Sequence, residues 1–237
     1  MQLFYQPHIS EASTEVIFDK EESRHISKVL RKQQGDKLLV TNGTGLIFET
    51  TLEETQPKKC TAKIRSTQQQ APLPYRLHLA VAPTKLNDRY EWFLEKATEI
   101  GISEITPIIC DHSERKQIKL ERYEKILLSA MKQSLKAYLP VLHPAVSFKD
   151  FVGSNDTSEN LRCIAHCEEG SKASLKSELK KGVSVVLLIG PEGDFSTSEI
   201  ELAKERGYIP VSLGDSRLRT ETAAIVACHS VAFVNED

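Results

Sequence analysis

The sequence predicts an α/β protein in two parts, a small N-terminal β-barrel and a larger C-terminal domain built on a mostly parallel sheet. Three observations predict it. Beyond residue 74, apolar strand-like runs alternate with helical patterns, the order that builds a parallel sheet. Before residue 66, short strand-like runs dominate and a single helix interrupts them. Between the two, Ser66–Pro74 is polar and then doubly proline-punctuated, which reads as an extended linker. The expected domains are 1–70 and 74–237.

Taken in order, Glu15–Phe18 and Lys37–Thr41 read as strands, and Leu46–Leu52 follows a turn at Asn42-Gly43-Thr44-Gly45. Asp19 and Glu22 form a capping-box pattern ahead of a short helix striped by Ile26, Val29 and Leu30. After the linker come a strand at Arg76–Ala82, an amphipathic helix at Asp88–Ile100 closed by Gly101, and a strand at Ile105–Cys110. A long helix lies within Leu120–Leu139, followed by strands at Leu161–Ala165 and Val183–Ile189. Ser196 with Glu199 three residues on is a second capping box. A strand at Ile209–Leu213 then leads to a helix capped by Thr220. Its body, Ala223–Cys228, is apolar on all sides and must be buried, with a subunit interface as a natural place for it.

Composition narrows the function classes. The 237 residues carry a net charge of −2, and the start, Met1–His8, has no basic segment followed by an apolar one, so no signal peptide is expected. No apolar run approaches membrane-spanning length. Five cysteines, none in a CxxC pair, fit reduced thiols in a cytoplasmic protein and carry no zinc-site spacing. Local charge says more than the total. Arg24, Lys28, Arg31, Lys32 and Lys37 are opposed only by Asp36 between positions 24 and 37. Arg115, Lys116, Lys119, Arg122, Lys125, Lys132 and Lys136 face only Glu114, Glu121 and Glu124. Solvated helix faces account for either stretch alone. Two such stretches tilt toward a phosphate backbone.

Function is written most clearly in two glycine-marked loops, each after a short apolar strand. One is Gly190-Pro191-Glu192-Gly193-Asp194, and the other runs from Gly214 to Thr220. Open α/β sheets bind ligands at the carboxyl ends of their strands. Neither loop has the spacing of a P-loop or a dinucleotide fingerprint. Glu192 and Asp194 make the first one acidic, which disfavours a triphosphate and suits a neutral or cationic ligand such as a nucleoside bearing a sulfonium. Glycine turns also join strands to helices for structural reasons alone.

The order of motifs is more specific than either loop. Gly190-Pro191-Glu192-Gly193, then Leu213-Gly214, then Leu218-Arg219-Thr220-Glu221-Thr222-Ala223 resembles the SPOUT methyltransferases, and within them the RsmE family. The resemblance extends over essentially the whole chain. It takes in His25, Val29-Leu30-Arg31, Gly35-Asp36 and Gly43, then Lys85, Glu91, Lys96-Ala97-Thr98-Glu99 with Gly101. Ser113-Glu114-Arg115 and Gln133-Ser134 with Pro140 continue it. Three positions depart from the family pattern: Asp194 where glycine is common, Ser216-Arg217 where Arg-Ile is usual, and Lys136 where arginine is usual.

The resemblance implies a PUA-like barrel joined to an α/β domain with a deep trefoil knot, a homodimer, and S-adenosylmethionine as cofactor. It implies methylation of N3 of a uridine in 16S ribosomal RNA, within the small ribosomal subunit. His166, Ile189, Gly190, Glu192, Gly193, Leu213, Gly214, Leu218, Arg219 and Thr220 are the expected cofactor contacts. No metal is expected, because the sulfonium already activates the methyl group. Arg219 is the candidate to stabilise the uridine anion, and Glu221 is the candidate base or orienting group. His25, Arg31, Arg115 and Lys136 are the candidate RNA contacts, with Arg115 approaching across a dimer. Two rival readings stay open: a non-catalytic RNA-binding or ribosome-assembly factor on this fold, and a methyltransferase for another RNA nucleoside.

Overall fold

In the N-terminal part, alternating apolar and polar residues wrap five strands around one core. The computed structural model describes residues 2–154 and 161–236. Its chain divides into two units, Met1–Pro72 with Leu128–Leu139, and Leu73–Leu127 with Pro140–Asp237.

The first unit holds β1 (Leu3–Tyr5), β2 (Glu15–Phe18), β3 (Lys37–Thr41), β4 (Leu46–Gln56) and β5 (Lys59–Gln69) in the order β1-β3-β4-β5-β2. Every second residue of β2 is buried, and Val16 and Phe18 join Phe4, Ile26, Val40, Phe48 and Leu52 in the core. Register shifts at Glu49/Thr50 and Leu52/Glu54 bend the long β4–β5 hairpin, as bulges do. The linker expected at Ser66–Pro74 starts later than the sequence indicated. Ser66–Gln69 completes β5, with Thr67 opposite Phe48 and Gln69 opposite Leu46. A strand with one solvated face carries polar residues freely, which is why this stretch resembled a linker.

The capping box at Asp19 is half formed. Its carboxylate accepts from the Glu22 amide at 2.8 Å, starting α1 (Lys20–Arg24). The Glu22 side chain instead takes a 2.7 Å ion pair from Lys132. The helix then widens into a π-helical turn over His25–Val29, closed by the Leu30 amide on the His25 carbonyl at 2.9 Å. Val29, expected on the apolar stripe, is 68% exposed, because the wider turn rotates it away from Ile26. Residues 128–139 return to this unit through backbone bonds of 2.9 Å from Gly45 to Ala137 and from Leu139 to Gly43.

The second unit is built on β6 (Leu77–Val81), β7 (Glu104–Ile109), β8 (Val141–Leu142), β9 (Val146–Ser147), β10 (Leu161–Ala165), β11 (Ala173–Ser174), β12 (Val185–Ile189) and β13 (Ile209–Ser212). The order is β11-β13-β10-β12-β6-β7-β8, with β9 also on β7, and every described pairing is parallel. Val-Val-Leu-Leu-Ile of β12 is buried throughout, as a central parallel strand requires. Among the described residues, five helices flank the strands: α2 (Asn87–Ile100), α4 (Phe148–Gly153), α5 (Leu175–Glu178), α6 (Thr197–Glu205) and α7 (Thr220–Val234). A further helix, α3 (Leu120–Gln133), starts in this unit and ends in the first. The reciprocal capping box expected at Ser196 and Glu199 opens α6. Among the described residues, no helix is long and apolar enough to cross a membrane.

Candidate active site

Strand order puts three loop-bearing ends side by side. Because β10 lies between β13 and β12, the segments after Ala165, Ile189 and Ser212 leave the sheet as neighbours at its carboxyl edge. Two cavities of about 370 Å³ each lie there. Ala165, Cys167, Arg217, Leu218 and Ala223 line both, so the two form adjoining lobes. Ile189, Gly190, Glu192, Arg219 and Thr220 line the first lobe, and His166, Leu213 and Gly214 line the second. Nine of the ten expected cofactor contacts are thereby brought together.

The exception is Gly193, which lines neither lobe. A Cβ there would lie 3.1 Å from the Cβ of His112, and the Gly193 carbonyl meets His112 Nδ1 at 3.1 Å. Thr220 also differs from its expected role. It is the first residue of α7 rather than its cap, and its hydroxyl donates to the Gly190 carbonyl at 3.0 Å. That bond ties the loop after β12 to the helix after β13.

Glu192 and Asp194 build the loop rather than offer it free charge. Glu192 Oε1 accepts from the Lys85 amide at 2.9 Å. The Arg115 guanidinium donates to the Thr84 and Lys85 carbonyls at 3.1 and 2.8 Å, so this expected RNA contact also holds the loop that Glu192 grips. Asp194 has φ of +64°, a left-handed conformation that glycine adopts freely and aspartate tolerates better than most residues. The departure from the family's glycine therefore keeps the backbone shape. It also adds a latch, because Asp194 Oδ2 accepts from the Cys167 amide at 2.7 Å and joins two walls of the site. Replacing Asp194 by glycine is expected to weaken cofactor binding by about fivefold, the worth of one hydrogen bond of about 1 kcal/mol. Calorimetric titration measures it, and unchanged affinity would mean that the latch is idle.

His166 offers the clearest test of what the cavity receives. Both its ring nitrogens are buried, with no partner among the described residues. Buried polar atoms of this kind require a partner, and a ligand in the second lobe supplies one. Burial, helped by nearby Lys172, lowers the His166 pKa and keeps the ring neutral. The sign follows directly. The unfolded chain binds a proton here at higher pH than the folded one, so stability falls as pH drops below about 6.5. His166→Gln should flatten that part of the stability–pH curve, and an unaltered curve would assign the slope to other groups.

Arg219 is exposed at the edge of the first lobe, and Arg217 touches both lobes. Glu221 is not beside them. It is buried in the first turn of α7, lines neither lobe, and has Oε1 3.9 Å from Arg89 Nε of α2, while Oε2 has no partner among the described residues. The remaining candidates sit elsewhere. His25, Arg31 and Lys136 belong to the first unit, with His25 3.5 Å from Glu22 and Arg31 exposed at φ of +52°. Sequence reasoning missed Cys167, Lys172 and Arg217 as lining residues. Lys172 Nζ reaches the His166 and Glu168 carbonyls at 3.2 and 2.6 Å, a loop-shaping role with no sequence motif.

A three-loop cavity at the carboxyl edge of a parallel sheet, in a chain that also carries a small barrel unit, defines a class. Residues 71–232 match the RNA methyltransferase domain family, and residues 18–65 match the RNA methyltransferase PUA domain family. A Synechocystis protein named ribosomal RNA small subunit methyltransferase E is 31% identical, over 86% of this chain and 68% of its own length. A solved structure from Porphyromonas gingivalis, described as a probable rRNA-methyltransferase, is 42% identical with a TM-score of 0.91, over 99% of this chain and 98% of that one. A Legionella pneumophila methyltransferase structure holding its cofactor SAM is 30% identical with a TM-score of 0.87, again over 99% and 98%. The chain belongs to the ribosomal RNA small subunit methyltransferase E family, within the RNA methyltransferases with a PUA domain.

Proposed function

We propose that this chain methylates N3 of a uridine in 16S ribosomal RNA, using S-adenosylmethionine. The observation that carries the reading is the two-lobed cavity walled by the three loops, with the orphaned His166 ring in one lobe and Arg219 at the edge of the other. When bound, S-adenosylmethionine supplies a methyl group already activated on sulfur. The residues that hold it are His166, Ile189, Gly190, Leu213, Gly214, Leu218 and Thr220. The acidic loop residues Glu192 and Asp194 and a neutral His166 suit a cationic sulfonium.

The chain's own work is alignment and charge control. N3 lies on the pairing edge of uracil, so the target base must leave its stack to reach the cavity. Arg219 stabilises negative charge that develops on the uracil ring as N3 loses its proton. Glu221, buried toward Arg89, fixes the start of α7 from which Arg219 projects. The PUA-type unit, with His25, Arg31 and Lys136, supplies phosphate contacts, and binding is expected to weaken steeply as salt rises. A trefoil knot in the second unit and a cytoplasmic homodimer complete the reading. Exposed Phe233 on α7, at 64%, and Trp92 on α2, at 45%, support pairing through these helices.

Incubation with labelled S-adenosylmethionine and either small subunits or bare 16S RNA tests this. Mass analysis should give 3-methyluridine. A different methylated nucleoside would replace the base assignment, and absence of both cofactor binding and product would leave an RNA-binding factor on this fold.

A further inference from the structure

We propose that His78, Glu104 and His143 form a binding site for one divalent ion of the zinc class, separate from the cofactor cavity. The site is built by the parallel sheet itself. His78 of β6 is paired with Glu104 of β7, and the His143 amide, just past β8, donates to the Ile105 carbonyl at 2.9 Å. Backbone pairing thus brings together two imidazoles and one carboxylate separated widely in sequence. His143 Nε2 lies 2.9 Å from Glu104 Oε2, and His78 Nδ1 lies 3.9 Å from the same oxygen. The three ligand atoms are all within 4.8 Å of one another. A tetrahedral zinc ion, with bonds of about 2.0–2.1 Å, spaces its ligand atoms about 3.3 Å apart. The measured separations bracket that value.

The second atoms of two of these ligands are already held in the way metal sites require. His78 Nε2 is 2.7 Å from the Thr106 hydroxyl, which sets Nδ1 toward the carboxylate. Glu104 Oε1 takes a forked pair from Arg76 Nε and Nη2 at 2.7 and 2.6 Å, which leaves Oε2 as the oxygen shared with the histidines. Thr106 follows Glu104 by two residues on one strand, so both face the same side of the sheet. Phe151 packs edge-on to His78, with ring centroids 5.4 Å apart. Exposure rises from 12% at His78 and 15% at Glu104 to 38% at His143, an open side for a water as fourth ligand. Nitrogen and oxygen donors in this number fit zinc better than magnesium or calcium.

Glu104 is the first residue of β7 and His78 the second of β6, so the site lies at the amino edge of the parallel sheet, whereas the cofactor loops leave its carboxyl edge after β10, β12 and β13. Its role is therefore to staple β6, β7 and the segment after β8, not to join methyl transfer.

The full chain, stripped with a chelator, is titrated with Zn(II) by calorimetry and with Co(II) as a visible-absorbing substitute. One ion per chain and the intense absorption of tetrahedral Co(II) are expected. His143→Ala should abolish uptake, and Thr106→Val should weaken it by about 10–100-fold. Both variants should keep S-adenosylmethionine binding, which reports that they are folded. No stoichiometric uptake overturns the proposal, as does uptake that survives His143→Ala or is lost only in Cys167→Ser, which would put the ion in the cofactor cavity.

Discussion

Arg219→Ala is expected to slow methyl transfer by about 100- to 1,000-fold, the usual cost of removing one preorganised donor to a developing anion. Affinity for S-adenosylmethionine should change little. Arg219 is exposed at the edge of its lobe, whereas Gly190 and Thr220 form the wall and are buried. Thr220, not Arg219, makes the hydrogen bond that holds the loop. Single-turnover transfer to small subunits at saturating cofactor, paired with calorimetry, separates chemistry from binding. Lysine at this position should restore part of the rate, since it returns the charge without the planar fork. Equal losses in rate and in cofactor affinity would instead make Arg219 a wall residue. Arg217, which sits where the family places a different residue, is the natural comparison.

The largest stability loss is expected from Gly45→Ala. Gly45 has φ of +108°, where an L side chain is strained, and an added Cβ would land on the amide nitrogen of Gln69 and the hydroxyl of Tyr138. Those two groups hydrogen-bond each other at 2.7 Å and join β5 to the returning segment 128–139. Strain plus the loss of that bond amounts to roughly 2–4 kcal/mol. Gly35→Ala is the control, because Gly35 also has positive φ, +90°, but has no atom within 4 Å of the added Cβ. It carries the strain alone. Denaturant midpoints measured for both should fall further for Gly45→Ala, and equal losses would show that the close contact relaxes at no cost.

The parts of the fold that the sequence revealed are those where burial alone dictates residue type. Leu161–Ala165 falls on its strand to the residue, and β12 is read correctly apart from its first two positions, because central parallel strands admit little but aliphatic side chains. At β5 the same logic fails. Its inner residues Cys60 and Ala62 are small, and beyond Ile64 the strand is polar, so one buried face leaves hardly any pattern. The π-helical turn at His25–Val29 and the left-handed Asp194 are matters of backbone geometry. Composition does not encode them, although the mismatch with a family glycine marked Asp194 as a position to watch.

In the candidate site, glycine loops were legible because they must approach a ligand closely. The bonds that arrange them were not. Arg115, Glu192 and Asp194 act on backbone groups 30, 107 and 27 residues away, and such partners carry no signature in a single chain. His78, Glu104 and His143 are likewise neighbours only because the sheet pairs their strands.

The return of residues 128–139 to the first unit has a consequence for how the protein is made. During synthesis the first 72 residues emerge as five strands whose Gly43, Gly45 and Gln70 still lack the partners supplied by Ala137 and Leu139. Those contacts can close only after residues 73–127, which belong to the other unit, and then the returning segment 128–139 have left the ribosome. The two units are consecutive in function but interleaved in time. A fragment ending at the proline linker is therefore an unfinished barrel, and a stable one needs the later segment supplied as a second peptide or grafted onto its end.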